Sequence, residues 1–384
     1  MEERLATKIG QLLQPFLDES LPEGGIDVEK SRWQKPGRGF GGVFPGGPDV
    51  RYLRFLVEVL YRFQRITGNE NLRRVANAQV NFMARVVNQN SPTWALGNAL
   101  EMVGLYCRYN ELDAALIGDS WRIIGLGRER RRRMEIDGQD YYHFPCGYGA
   151  LNAKDAGWTN DLSMFGSGLV WTYEITSEKG PLEDATSFAE YFVRPWKPNS
   201  LRPDGYWASG TWREDIGSWV IGPLHYRGFE STDLYSDEAS WVFSTVTCID
   251  YLTRLYRHVP DVRFLNRSID AAKWTFTECQ FEDGAVGVCG KDDKWLGCAG
   301  DAIRQVAMLR PFISESPTFY GLLASARESY DYLCDHVLSA DLEAHGVEWV
   351  THSTFADPLV NVAMLWLCAI LGILDGVELW KGRS

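Results

Sequence analysis

Apolar residues recur every three or four positions through most of this 384-residue chain, the period of a helix with one buried face. The pattern divides into twelve helical segments, at roughly 3–18, 50–67, 69–88, 93–109, 111–128, 160–176, 183–194, 234–258, 261–279, 299–314, 317–338 and 354–375. In "TGNEN" Gly68 predicts a helix stop and Asn69 the N-cap of the next helix, and "SESP" predicts another start before Thr318. No run alternates with a period of two strongly enough to predict a sheet, so strands are confined to short pieces within loops.

The connections carry a second pattern. Those after even-numbered segments are short ("TGNE", "NE", "SEKGPL", "VP", "ES"), whereas most of those after odd-numbered segments are long and rich in Gly, Pro and Trp, at 19–49, 129–159, 195–233, 280–298 and 339–353; only 89–92 is brief. Helical hairpins set side by side in a ring produce this alternation, with tight turns on one face and elaborated loops on the other. The expected fold is therefore all-α, a single (α/α)6 toroid over residues 1–384 with the even-numbered helices inside. Each inner helix would aim its N-terminus at the loop-rich face, where partial positive charge favours anionic groups and where loops carry function. Polar residues do gather at those starts: Asp49; Asn98 and Glu101; Asn160 and Asp161; Ser236, Asp237 and Glu238; Asp301; His352 and Asp357. Each alone reads as an ordinary cap; their surplus points to a site.

Composition narrows the function. A formal charge of −12 argues against a nucleic-acid surface, and the one basic run, "RERRRRM" (Arg128 to Met134), reads as a solvated helix end. Fifteen tryptophans call for a large core, an aromatic-lined cavity, or both. The amphipathic N-terminus lacks a signal-peptide core. "PLVNVAMLWLCAILGIL" comes nearest to a membrane span and reads as a buried helix. Eight cysteines without a C-x-x-C or ligand spacing read as reduced thiols, with no zinc site. Together these predict a cytoplasmic protein without nucleic-acid or membrane partners; a homodimer is one assembly the sequence admits.

Five stretches carry candidate chemistry. "GRGFGG" (Gly37 to Gly42) matches a dinucleotide fingerprint, but no strand precedes it and no helix follows directly, so it reads as a rim loop. "GWTNDLSMF" sets Trp158 in a loop and Asp161 on the first turn of an inner helix, as acid, base, nucleophile or metal ligand, or as a plain N-cap. "DGYWASGTWREDIGSWV" offers Trp207, Trp212 and Trp219 for stacking on sugar faces or lining a hydrocarbon pocket; alternatively it is a lid packed by its own aromatics. "GPLHYRGFESTDLYSDEASW" brings together His225, Tyr226 and Arg227, a set suited to proton abstraction beside a carboxylate, followed by Asp237 and Glu238. "GVCGKDDKWLG" places Asp292 and Asp293 between Lys291 and Lys294 and beside Trp295. The acids suit acid–base work or a divalent cation, and the lysines suit an anionic group; the other reading is a solvated turn whose charges cancel.

"FPGGPDVRYLRFLVEVLYRFQRITGNENLRRVANAQVNFM" resembles the hairpin repeat of (α/α)6 glycan-active enzymes, among them family 88 unsaturated glucuronyl hydrolases and family 76 mannanases. "DGAVGVC" resembles the Asp-Gly loop that family 76 members place before an inner helix; those enzymes carry two adjacent aspartates at the start of an inner helix, where this chain has Asn160 and Asp161. This likeness implies a carbohydrate-active enzyme, hydrolase or lyase, taking an oligosaccharide or smaller substrate without a cofactor. Asp161, Asp292, Asp293, Asp237, Glu238 and His225 would be its catalytic candidates. Trp158, Trp207, Trp212, Trp295, Arg227, Lys291 and Lys294 would be its substrate contacts. A second resemblance, to non-canonical fungal humulene-type terpene cyclases, implies instead a magnesium enzyme acting on a prenyl diphosphate. Asp292 and Asp293 would then bind the metal and Lys291 or Lys294 the diphosphate.

Overall fold

A computed structural model of the chain describes residues 3–27, 52–136, 139–143, 159–194, 212–213, 217–219, 240–291, 294–339 and 358–381. Among the described residues are twelve α-helices: α1 (Glu3–Glu19), α2 (Leu53–Thr67), α3 (Glu70–Val86), α4 (Thr93–Tyr109), α5 (Ala114–Arg130), α6 (Thr159–Thr176), α7 (Lys179–Val193), α8 (Val242–Tyr256), α9 (Val262–Trp274), α10 (Leu296–Ile313), α11 (Pro317–Ser339) and α12 (Pro358–Trp380). A π-helical turn, Thr275–Cys279, extends α9. Two antiparallel hairpins complete the elements, β1 (Arg132–Ile136) with β2 (Gln139–His143) and β3 (Trp212–Arg213) with β4 (Ser218–Trp219).

The predicted boundaries meet their caps. Gly68 ends α2 in the left-handed region at φ 70° and returns its N–H to Gln64 O at 2.7 Å. Asn69 Oδ1 accepts from Asn71 N–H at 3.0 Å and Ser316 Oγ from Phe319 N–H at 3.1 Å. Several boundaries differ from expectation, among them four helix starts and the end of α12, which runs to Trp380 and not 375. Asp113, not Glu111, opens α5, accepting from Ala115 N–H at 2.8 Å. Helix α7 starts earlier, because Pro181 fits a first turn whose N–H groups have no helical partner. Helix α8 begins at Val242, and Asp237 and Glu238 lie outside the described residues. Ser240 Oγ bonds Ser218 Oγ at 2.7 Å and Trp219 O at 2.8 Å, which keeps the approach to α8 extended beside β4. Helix α10 starts at Leu296, leaving Asp301 in its second turn. The basic run is also divided: α5 stops at Arg130 and the chain enters β1, while Arg128 and Arg131 pair with Asp184 at 2.6 and 3.3 Å.

Burial alternates along the helices as a hairpin arrangement requires. In α4 every residue from Thr93 to Leu105 is buried, and α6, α8 and α10 are nearly as enclosed. In α1 the buried apolar positions are Leu5, Ile9, Leu13 and Phe16, one stripe at helical spacing, and Glu19 is buried at the helix end. Helices α9 and α11 keep a wet face in the same way. The segment Ala363–Trp380 of α12 is long and apolar enough to cross a membrane, and 72% of it is buried within the protein, so it is a core helix.

The helices gather in two compact units, one of residues 1–82 and 275–384 and the other of residues 83–274. In the second, α4 packs on α5 and α6, α6 on α7 and α8, and α8 on α9. Glycines let α4 and α6 touch through backbone. A Cβ on Gly97 would lie 2.6 Å from the Met164 carbonyl carbon, and one on Gly168 would lie 3.0 Å from Gly97 O. In the first unit α10 packs on α11 and α12, α12 on α2, and α1 on α11. There Gly300 lies under Cys368 O and Gly372 under Gly300 Cα, each leaving no room for a methyl group.

One turn occurs twice in the first unit. After α1, Leu21 N–H bonds Gly25 O, Gly24 N–H bonds Leu21 O and Asp27 N–H bonds Glu19 O, at 3.1, 3.0 and 2.7 Å. After α9, Phe281, Gly284 and Gly287 N–H bond Ala285, Phe281 and Cys279 O, at 2.8, 3.0 and 2.9 Å. Gly24 (φ 89°) and Gly284 (φ 84°) hold the same place, the first against Ala78 O of α3 and the second against Glu328 O of α11. Both need glycine, for conformation and for space.

Gly97→Ala will force α4 and α6 apart and lower stability by about 1–3 kcal/mol, read from the urea midpoint. Gly118→Ala, where an added Cβ meets nothing within 4 Å, will leave stability unchanged or raise it by up to about 1 kcal/mol.

Candidate functional site

The strongest sequence candidate, Asp161, lies in the first turn of α6, the turn whose N–H groups have no helical partner and favour an anion. It is 5% exposed, and Asn160 Nδ2 donates to its Oδ1 at 3.0 Å. The turn is fastened to α8. Ser163 Oγ lies 2.8 Å from Thr247 Oγ1 and 3.0 Å from Asn160 O, and Ser167 Oγ donates to Asp250 Oδ2 at 3.1 Å. The bond from Asn160 and the ties of this turn to α8 restrict how the carboxylate can turn.

Trp212 has a different role from the one expected. It is 1% exposed, packs edge-on against Trp219 with centroids 5.0 Å apart, and lies under the Arg267 guanidinium at 4.5 Å. Trp219 Nε1 donates to Phe192 O at 2.7 Å. The β3–β4 hairpin is thus anchored by its own indoles, the alternative that the aromatic loop left open, and Trp212 presents no ring face for stacking on a substrate.

Around the "KDDK" stretch, Lys294 Nζ pairs with Asp283 Oδ2 at 2.5 Å and lies 4.7 Å from the centre of the Phe281 ring. Burial pushes the Asp283 carboxyl upward, but this pair and the Ala285 N–H hold it below the usual carboxylate range. Trp295 is buried at the N-cap position of α10, its backbone N–H donating to Val286 O at 3.1 Å, and Lys291 is exposed. Trp158, Trp207, His225, Arg227, Asp237, Glu238, Asp292 and Asp293 lie outside the described residues. Among the described residues no three His, Cys, Asp or Glu side chains gather closely enough to hold a metal ion.

The first unit holds a buried charge array that the candidate set misses. Arg54 and Glu58 of α2 pair at 2.7 Å, and Glu58 is 3.4 Å from Arg304 of α10. Arg304 is 3.7 Å from both Asp301 and Asp375, and Arg62 is 2.7 Å from Asp375 and 3.3 Å from the exposed Glu378 at the margin of the array. Asp301 is 1% exposed. Burial pushes its pKa up to about 7, against the opposing pull of Arg304, a hydrogen bond with the Cys368 thiol, and Arg54. Burial also raises Asp375, against Arg62 and Arg304. The signal was present as charge inside apolar helices: Arg54, Glu58 and Arg62 recur every four residues in "LRFLVEVLYRFQ", and Arg304 interrupts "GDAIRQVAML". Ion pairs this deep must offset a large desolvation cost, so removing one partner is severe.

No protein-family model matches the chain, and no curated protein matches it in sequence. Solved structures do match, over nearly the whole length. The unsaturated glucuronyl hydrolase of Bacillus sp. GL1 is 13% identical, with 99% of this chain and 96% of that chain covered and a TM-score of 0.62. The GH76A α-1,6-mannanase of Salegentibacter sp. HEL1_6 is 9% identical, with 98% and 99% covered and a TM-score of 0.60. The cellobiose 2-epimerase of Bacillus thermoamylovorans B4167 is 8% identical, with 96% and 99% covered and a TM-score of 0.59. The fold is that of the (α/α)6 toroid enzymes, as the connection pattern predicts.

Between pH 4 and 7 folded Asp301 keeps a proton that the unfolded chain, with a carboxyl near 3.8, has released. Its contribution to stability therefore falls as pH rises through that window, and the penalty is complete above pH 7. Asp301→Asn will gain stability relative to the parent between pH 5 and pH 8 by about 1 kcal/mol or more, read from urea unfolding at both values.

Proposed function

We propose that the chain is a carbohydrate-active enzyme, a glycoside hydrolase or polysaccharide lyase acting on an oligosaccharide, with Asp161 as its leading carboxylate. The observation that carries this reading is the Asp161 turn itself: a nearly buried carboxylate at an inner-helix N-terminus, oriented by Asn160, in a fold shared end to end with a mannanase, a glucuronyl hydrolase and an epimerase. Glycosidic cleavage passes through an oxocarbenium-like state, which a fixed carboxylate stabilises as base or nucleophile. Proton abstraction in a lyase needs the same pinned base. Asn160 leaves a single carboxylate on this turn, so a second acid–base group is required, and Asp292 and Asp293 are the proposed sources. Lys294, already paired with Asp283, makes a weak diphosphate ligand, which supports the carbohydrate reading over a prenyl diphosphate cyclase.

The full chain, offered mannan and uronic-acid oligosaccharides, will turn over at least one, and Asp161→Asn will lower that rate by a hundredfold or more without moving the melting temperature. Unchanged turnover in the variant would remove Asp161 from the mechanism. A large thermal shift with magnesium pyrophosphate, and none with any oligosaccharide, would replace this reading with the cyclase.

A further inference from the structure

We infer that Thr247 of α8 is a positioning residue for Asp161: through Ser163 it holds the backbone of Asn160, whose amide orients the carboxylate. This rests on the carbohydrate reading above, in which Asp161 is the leading carboxylate, and adds a residue from a second helix to that site.

Asn160 and Asp161 are neighbours on one helix, where adjacent side chains point about 100° apart and do not ordinarily face each other. Here they meet, Asn160 Nδ2 donating to Asp161 Oδ1 at 3.0 Å. That bond depends on how the first turn of α6 is set, and Ser163 bonds the carbonyl of that turn, its Oγ 3.0 Å from Asn160 O. A serine hydroxyl left to itself samples the staggered rotamers. Thr247 Oγ1, 2.8 Å from Ser163 Oγ, selects the one that faces both partners. Thr247 is itself fixed, because its hydroxyl donates to Ser244 O at 2.9 Å within α8. The Cys248 thiol beside it bonds the same serine, so α8 grips Ser163 through consecutive residues, of which the threonine is the stronger hydrogen-bonding group. The tie therefore runs in series from the Thr247 hydroxyl to Ser163, to the carbonyl and amide of Asn160, and to Asp161.

The surroundings favour a bond with a kept direction. Ser163 is 0% exposed, so water does not compete for its hydroxyl. The helices are in close contact beside it, where a Cβ on Gly166 would lie 2.6 Å from Tyr251 Cζ. Thr247 also differs from the other threonines of α8. Thr253 turns its hydroxyl back to Ile249 O at 2.6 Å, and Thr245 reaches Ser218 of β4 at 3.2 Å. Thr247 reaches the turn that carries Asp161.

The test is steady-state kinetics of the full chain on the mannan or uronic-acid oligosaccharide it turns over, comparing the parent with Thr247→Val, Thr247→Ser and Thr253→Val. Thr247→Val keeps the shape and removes the hydroxyl. The expected result is that Thr247→Val lowers kcat about tenfold with KM and the melting temperature held. Thr247→Ser restores kcat, and Thr253→Val leaves it unchanged. In an Asn160→Ala background Thr247→Val costs less than about twofold, because groups acting in series are not additive. A Thr247→Val enzyme with the parent's kcat, while Asp161→Asn is inactive, overturns the positioning role and leaves the carbohydrate reading standing. A fall in melting temperature with kcat kept, or an undiminished loss in the Asn160→Ala background, assigns the hydroxyl to structure alone and also overturns the role. No turnover of any oligosaccharide by the parent overturns both. Should Thr247→Val fail to fold, Ser163→Ala cuts the same series at α6 and carries the comparison.

Discussion

The contact on which this architecture depends is backbone against backbone between enclosed helices. Gly97 and Gly168 bring α4 onto α6, and Gly300 and Gly372 bring α10 onto α12. At such distances dispersion is strong, because nearly every atom at the seam has a partner at optimal separation. The close approach also leaves little freedom of rotation, so residues adjoining the seam keep their bearing. Asp161 stands three residues before Met164, whose carbonyl carbon faces Gly97, and Asp301 directly follows Gly300. Both carboxyls are therefore held by rigid helix, not by loop.

Within the first unit, apolar packing and buried charge share the same helices. The seam at Gly300 is backbone against backbone, and the adjoining face carries Asp301 and Arg304 joined to Glu58 and Asp375. A hydrophobic substitute for that array would be easier to fold. The array stands in helices otherwise built largely of apolar residues, so each charge there depends on its partners to offset the cost of burial.

Much of the scaffold was legible from spacing and punctuation. Gly68 with Asn69, and Ser316 before Pro317, mark real helix ends because capping is local chemistry and needs no tertiary partner. Alternating connection lengths led to the toroid because a hairpin ring must alternate. The start of α8 was misplaced for a tertiary reason: Ser240 is drawn into extended conformation by Ser218 and Trp219, more than twenty residues away. The anchoring role of Trp212 was equally hidden, since it depends on Arg267 across the chain. Asp161 was visible because its position at a helix start shows in sequence. The Asp301 array was harder to find, because Glu58 and Arg304 are 246 positions apart and only folding brings them together.

The twin turns after α1 and α9 close with the same three bonds and press the same left-handed glycine onto the following outer helix. Each gives the chain a clamped exit, so the segment beyond Asp27 or Gly287 departs from a fixed point whatever its length or content. Sequence beyond either exit can therefore change in length or content without altering the register of the helices that precede it.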